Sequence, residues 1–150
     1  ITLLMFIGAS PGSTGGGIKT TTFGVIHAAL FRIIQGETRV EIFGRTISST
    51  NVFRGLIIFF ISAIVVFTGL YFLLLTETFA FVPLLFEAVS AFGTAGLSLG
   101  VTEGLSSWGK VSIILLMFIG RLGPLSLGVA LARRKQRPNY TFPEERILLG

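Results

Sequence analysis

The chain has 150 residues, 51% of them hydrophobic and 13% charged, with a net charge of +5 and a mean hydropathy of +0.84. A soluble domain carries about a quarter charged residues, so this composition excludes an ordinary globular domain and points to a membrane-embedded chain. With no cysteine in the sequence, disulfides and thiolate metal sites are excluded as well.

In chain order, residues 1–8 (ITLLMFIG) open inside an apolar run without an initiating Met, which predicts that an upstream part precedes them. Residues 8–22 (GASPGSTGGGIKTTT) interrupt that run, and residues 23–34 resume it. Pro11 and the glycines Gly8, Gly12, Gly15, Gly16 and Gly17 do not sustain a regular helix. The first element, 1–34, is therefore expected as a transmembrane helix broken within the bilayer. Irregular backbone at that depth is tolerated only where it lines a cavity, so the loop is expected to lie across a permeation path as a gate. A phosphate-loop reading fails, because Ile18 separates Gly17 from Lys19 and puts the lysine one place late for G-x-x-x-x-G-K-[ST]. His27 has no neighbours to complete a metal site and reads as a packed or interfacial residue.

The loop 35–52 carries an alternation around Arg39, Val40, Glu41, Ile42 and Phe43, then Gly44, which predicts a small hairpin. Residues 53–75 (FRGLIIFFISAIVVFTGLYFLLL) are 23 residues long with Arg54 their only charge, enough for a full span. Residues 81–92 form a half-length apolar segment, roughly 15 Å as a helix, followed by Gly93, Thr94, Ala95, Gly96 and Leu97. Residues 108–131 form a second span, containing Arg121, with Trp108 and Lys110 as interface anchors. The tail 133–150 is basic and then polar, and ends near the apolar triplet Ile147, Leu148 and Leu149, which predicts docking on another surface.

Arg32, Arg39, Arg45 and Arg54 cluster in the loop between the first and second apolar regions, and Arg133, Arg134, Lys135 and Arg137 follow the last span. The positive-inside rule puts both groups in the cytoplasm. This basic charge flanks apolar spans, so it fits membrane lipid and not nucleic acid. Two spans already satisfy the parity, so the half-segment 81–92 is expected to re-enter from the outer face. A span, a half-helix, a Thr/Gly turn and a second span is the pore-loop plan of cation channels. The expected fold class is thus an all-α integral membrane protein, multi-pass in the plasma (inner) membrane, containing a span–pore-loop–span repeat unit over 53–132. Residues 113–120 (IILLMFIG) repeat residues 1–8 at seven of eight positions, at an offset of 112. That match predicts a parallel internal repeat.

Two constellations carry the expected chemistry. A filter needs carbonyl oxygens turned into a narrow lumen, which asks for glycine. Thr94, Ala95, Gly96 and Leu97 are the candidate ion filter, with K+ held by the backbone of Thr94, Ala95 and Gly96 and by the Thr94 hydroxyl at the inner end. The candidate gate is Pro11, Gly12, Ser13, Thr14, Gly15, Gly16, Gly17 and Lys19, together with Arg121. A guanidinium inside a span is a functional candidate by default; the offset of 112 aligns Arg121 with Ala9, and a rise of about 1.5 Å per residue from Trp108 puts it roughly 20 Å inward. Arg121 is expected to donate to the loop's carbonyls and to repel cations, with a purely structural pairing as the alternative. Glu87 either attracts cations or bonds the packing behind the filter. No nucleophile–base pair or carboxylate dyad is present, so no enzyme activity is expected.

The blocks SPGSTGGGIKTTT, EAVSAFGTAGLSLG and GKVSIILLMFIGRLGPLSLGVALARRKQ, in this order, resemble the Trk/Ktr/HKT potassium transporter superfamily, and within it the Ktr-type membrane subunit (KtrB/NtpJ-like). The resemblance implies a four-fold pseudosymmetric pore, of which this chain is the end of the third repeat and the whole of the fourth. It puts the family's filter glycine on Gly96, its gate loop on Pro11 to Lys19 and its gate-facing arginine on Arg121; Gly15 departs from the family's usual alanine. It also implies potassium uptake, sodium as a second transported or regulatory ion, no bound cofactor, a homodimer, and a cytosolic nucleotide-binding regulatory ring (KtrA-like). The alternative class is a sodium-coupled secondary transporter of another solute, which also uses broken helices and repeats.

Overall fold

The computed structural model describes residues 1–36, 40–42 and 45–123. These residues form α1 Thr2–Ile7, α2 Thr20–Ile34, β1 Val40–Ile42, β2 Arg45–Ile47, α3 Ser49–Thr76, α4 Phe81–Gly93 and α5 Ser107–Leu122. The strands pair antiparallel, Val40 opposite Ile47 and Ile42 opposite Arg45, in the segment where the alternation predicts a hairpin.

Helix α3 has 28 residues, and its most apolar 18-residue window averages a hydropathy of 2.6. At 1.5 Å per residue it is about 42 Å long, beyond the roughly 30 Å of a bilayer's hydrocarbon core. One stripe, Ser62, Val66, Leu70 and Leu73, is buried inside the chain. The opposite stripe, Phe53, Ile57, Phe60, Ile64, Phe67 and Tyr71, is also apolar and is exposed, at 51–67%. A helix that is apolar all round belongs against lipid or further protein. Ser62 is buried without penalty because its hydroxyl donates to the Ile58 carbonyl at 2.7 Å.

Helix α4 is the half-length element, 13 residues or about 20 Å. Pro83 is tolerated because it lies in the first turn, where backbone N–H groups lack intrahelical partners anyway. From Glu87 to Gly93 every residue is buried. Leu84, Ala88 and Ala91 pack against Leu70 and Leu73 of α3 and Ile113 and Leu116 of α5. Val89 and Phe92 pack against Met5 of α1 and Val66. Lipid tails are as apolar as leucine, so such packing depends on close approach between small residues. Gly93 shows how close: a Cβ there would stand 2.3 Å from the Met5 carbonyl oxygen.

The apolar run 108–131 predicts one continuous helix, whereas α5 ends at Leu122. Gly123 has φ +82 and is followed by Pro124. Proline disfavours the helical region for its predecessor, and glycine alone adopts this φ without strain. Residues 124–131 and the tail with its apolar triplet lie outside the described residues. The repeated octapeptide has two fates. In the first copy the helix stops at Ile7 and Gly8 turns to φ +75; in the second, Gly120 lies inside α5.

Candidate functional site

The turn after α4 is assembled from its amides outward. Thr94 caps the helix in the left-handed region, φ 52 and ψ 36. The Thr94 amide donates to the Ala91 carbonyl at 3.1 Å, and the Ala95 amide to Ser90 at 3.0 Å. The buried Ser90 hydroxyl accepts from the Leu97 amide at 3.0 Å. Gly96 has φ +72. Three of these four amides are therefore tied back to α4, while among the described residues no donor reaches the carbonyls of Thr94, Ala95, Gly96 or Leu97. Free oxygens on a turn whose nitrogens are held are what cation coordination needs. The negative end of the α4 dipole lies at the same turn and favours positive charge there.

Two carboxylates brace the surroundings. Glu87 is buried, and its Oε1 accepts from Thr102 at 2.9 Å and from Ser98. These bonds tie the return loop to the half-helix, whereas the packing role expected of Glu87 is towards a helix behind the turn. Glu77 at the end of α3 accepts from the Ser106 amide at 3.1 Å and its hydroxyl at 2.5 Å, fixing the start of α5. His27 lies between Phe23 and Phe31 along α2, with ring centroids 5.7 and 5.1 Å away. Among the described residues no group of His, Asp and Glu suits a metal ion.

The glycine loop leaves α1 at Gly8 and returns beside it. Lys19 and Ile18 donate their amides to the Ile7 and Phe6 carbonyls, at 2.8 and 3.4 Å, and Ala9 donates to Gly16 at 3.3 Å. The two limbs touch backbone to backbone, since a Cβ on Gly17 would stand 2.8 Å from the Gly8 Cα. Pro11, Gly12, Ser13 and Thr14 form the exposed tip; Gly16, Gly17 and Ile18 are buried. The Lys19 ammonium folds back over the loop and donates to the Gly15 carbonyl at 2.5 Å and to Ser13 at 3.3 Å. Lys19 does so from φ +83, a conformation that costs a non-glycine residue about 1–3 kcal/mol.

The loop lies directly against the turn. The Gly16 amide donates to the Thr94 hydroxyl at 2.7 Å. A Cβ on Gly16 would meet the Phe92 oxygen at 2.9 Å and the Gly120 oxygen at 3.0 Å; one on Gly120 would stand 1.9 Å from the Phe92 oxygen. Arg121 is thus level with the loop, being adjacent to Gly120. Its side chain is exposed and has no hydrogen bond or ion pair among the described residues. Of the loop carbonyls expected to bind Arg121, those of Ser13 and Gly15 accept from Lys19 instead, whose stem is only four residues from Gly15. Arg121 lines an open cleft of about 510 Å³ with Ser90, Thr94, Gly96, Met117 and Phe118. Neither the lysine latch nor the contact between Gly16 and Thr94 was foreseen. A signal for the first was present, since carbonyls freed by a broken helix need a donor, and Lys19 is the cation nearest in sequence.

A buried half-helix thus ends in a left-handed turn that lies against the glycine loop between α1 and α2. The family model described as cation transport protein, TrkH, matches residues 1–142. The chain belongs to the TrkH family of cation transport proteins, which are membrane transporters. It is similar to the Ktr system potassium uptake protein D of Bacillus subtilis, at 44% identity over 150 residues, covering 100% of this chain and 33% of that protein. It is also similar to the potassium/sodium uptake protein NtpJ of Enterococcus hirae, at 42% identity, covering 98% and 34%. With the Ktr system potassium uptake protein B of Bacillus subtilis it shares 40% identity, over 99% and 33%. The chain spans about a third of the length of these curated relatives.

Proposed function

We propose that the chain supplies the end of the third repeat and all of the fourth in a four-fold pseudosymmetric pore for potassium uptake across the plasma membrane. Thr94, Ala95, Gly96 and Leu97 line its filter, where carbonyl oxygens replace the ion's hydration shell. The loop from Pro11 to Lys19 gates the path below, and Arg121 adds a positive charge that raises the barrier to cations. The observation that carries this reading is a turn, Thr94 to Leu97, with three of its four amides tied to a buried half-helix and with carbonyls that accept no hydrogen bond among the described residues. The relatives' names support potassium as the cargo, and one of them adds sodium. Two carry the words Ktr system, which supports work alongside another subunit, a KtrA-like cytosolic ring; assembly with a second copy of the whole protein is part of the same proposal.

The test is Gly96→Ser in the full-length protein. A serine at φ +72 is strained and its side chain restricts the carbonyls on either side. Potassium uptake, or its resistance to sodium competition, should fall while membrane insertion persists. Unaltered ion competition would remove Gly96 from the filter and favour the secondary-transporter reading.

A further inference from the structure

Thr94 and Gly16 lie 78 residues apart and are joined by one hydrogen bond, in which the Gly16 amide donates to Oγ1 at 2.7 Å. We infer that this bond couples the loop to the innermost ion position, because the Gly16 N–H of the closed loop and a cation at the Thr94 hydroxyl bring positive charge to the same oxygen and disfavour each other. The inference rests on the proposed filter and gate and adds a specific linkage between them.

A hydroxyl oxygen has two acceptor lone pairs. With the loop closed, the Gly16 N–H occupies one, fixes the side-chain rotamer and puts its partial positive charge beside the position a cation would take. Among the described residues the other hydrogen bonds of Thr94 are local, from its own amide to the Ala91 and Ser90 carbonyls. The loop has little room to slide while keeping this bond. Gly16 sits in a slot where even a Cβ would meet the Phe92 oxygen, the Thr94 methyl and the Gly120 oxygen at 2.9–3.0 Å. Opening therefore means withdrawal, and withdrawal breaks the bond and frees the oxygen.

Coupling of this kind is reciprocal. If loop closure weakens cation binding at Thr94, cation binding there favours the open loop by the same factor. The factor is bounded by the net strength of one hydrogen bond, roughly 2- to 10-fold. Potassium arriving at the filter would thus help to open the path beneath it, and an empty filter would hold it shut.

The experiment uses the full-length protein in proteoliposomes, with Thr14→Cys as its sole cysteine, at the exposed loop tip. Its rate of modification by a small thiol reagent is compared in potassium and in N-methylglucamine at equal ionic strength. The Thr94 parent should be modified roughly 2- to 10-fold faster in potassium. Thr94→Val keeps the shape and the β-branch but removes the oxygen, so its rate should no longer depend on potassium. Thr94→Ser restores the oxygen and should restore the dependence. Equal rates in the two media for the parent, including no modification in either, overturn the coupling. So does a Thr94→Val variant that keeps the parent's potassium dependence, or a Thr94→Ser variant that lacks it while eluting as the parent does on sizing. If Gly96→Ser alters ion competition while the potassium dependence survives in Thr94→Val, the filter stands and only the coupling fails. If Gly96→Ser changes nothing, the filter reading itself fails.

Discussion

Gly120→Ala probes the tightest glycine contact among the described residues. The added Cβ would lie 1.9 Å from the Phe92 oxygen, 2.7 Å from its carbonyl carbon and 3.0 Å from its Cα, all backbone atoms. No flexible side chain can give way, so α5 and the end of α4 must part by about 1 Å. Overpacking of this kind costs about 1–3 kcal/mol, and the upper end applies because backbone must move. Alanine's better helix propensity offsets about 1 kcal/mol, leaving a net loss of about 2 kcal/mol. If α4 takes up the displacement, the bond between Thr94 and Gly16 lengthens from 2.7 Å to roughly 3.7 Å, outside hydrogen-bond range. Gly24→Ala is the control, because nothing lies within 4 Å of its Cβ and the propensity gain is the same. Thermal unfolding of the full-length protein in detergent and potassium uptake in cells are the two readouts. Gly120→Ala should melt earlier and transport differently, and Gly24→Ala should do neither. A Gly120→Ala protein with the parent's melting temperature and potassium uptake would refute the close approach and the reasoning built on it.

Three further outcomes are expected. Lys19→Met removes the donors to the Ser13 and Gly15 carbonyls and should raise ion flux in proteoliposomes; Arg121→Gln should raise it independently, so that the double variant multiplies the two effects. A double variant no faster than the quicker single one would mean that the two cations share one interaction. Glu87→Ala leaves the hydroxyls of Ser98 and Thr102 without their carboxylate and should cost about 1–3 kcal/mol in detergent unfolding. Glu87→Gln keeps an acceptor and should cost less, and equal losses would argue against the clamp. Single cysteines placed in 36–52 and in 133–150 of the full-length protein should react only from the cytoplasmic side, and labelling from outside intact cells would overturn that topology.

Much of the architecture was legible because it depends on local chemistry. Hydropathy marks α3 as long enough to span a bilayer, and the composition of residues 8–17 does not permit a continuous helix. The half-length run before Thr94 is visible as a length alone. Even the early end of α5 was present in the pair Gly123 and Pro124, though the apolar run beyond them concealed it. Partner choice is different. The sequence states which groups need a donor or an acceptor but not which will reach them. Freed loop carbonyls took Lys19 and not Arg121, because the lysine's short tether delivers its ammonium to Gly15. The Glu87 carboxylate turned to Ser98 and Thr102 because the return loop folds over α4. Gly8 and Gly120 end the same octapeptide, yet one breaks its helix and the other continues it, as the residues that follow dictate. The contact between Gly16 and Thr94 needs α1, α4 and α5 packed at glycine distance. No single segment carries that information, so only the tertiary structure decided which oxygen the loop would hold.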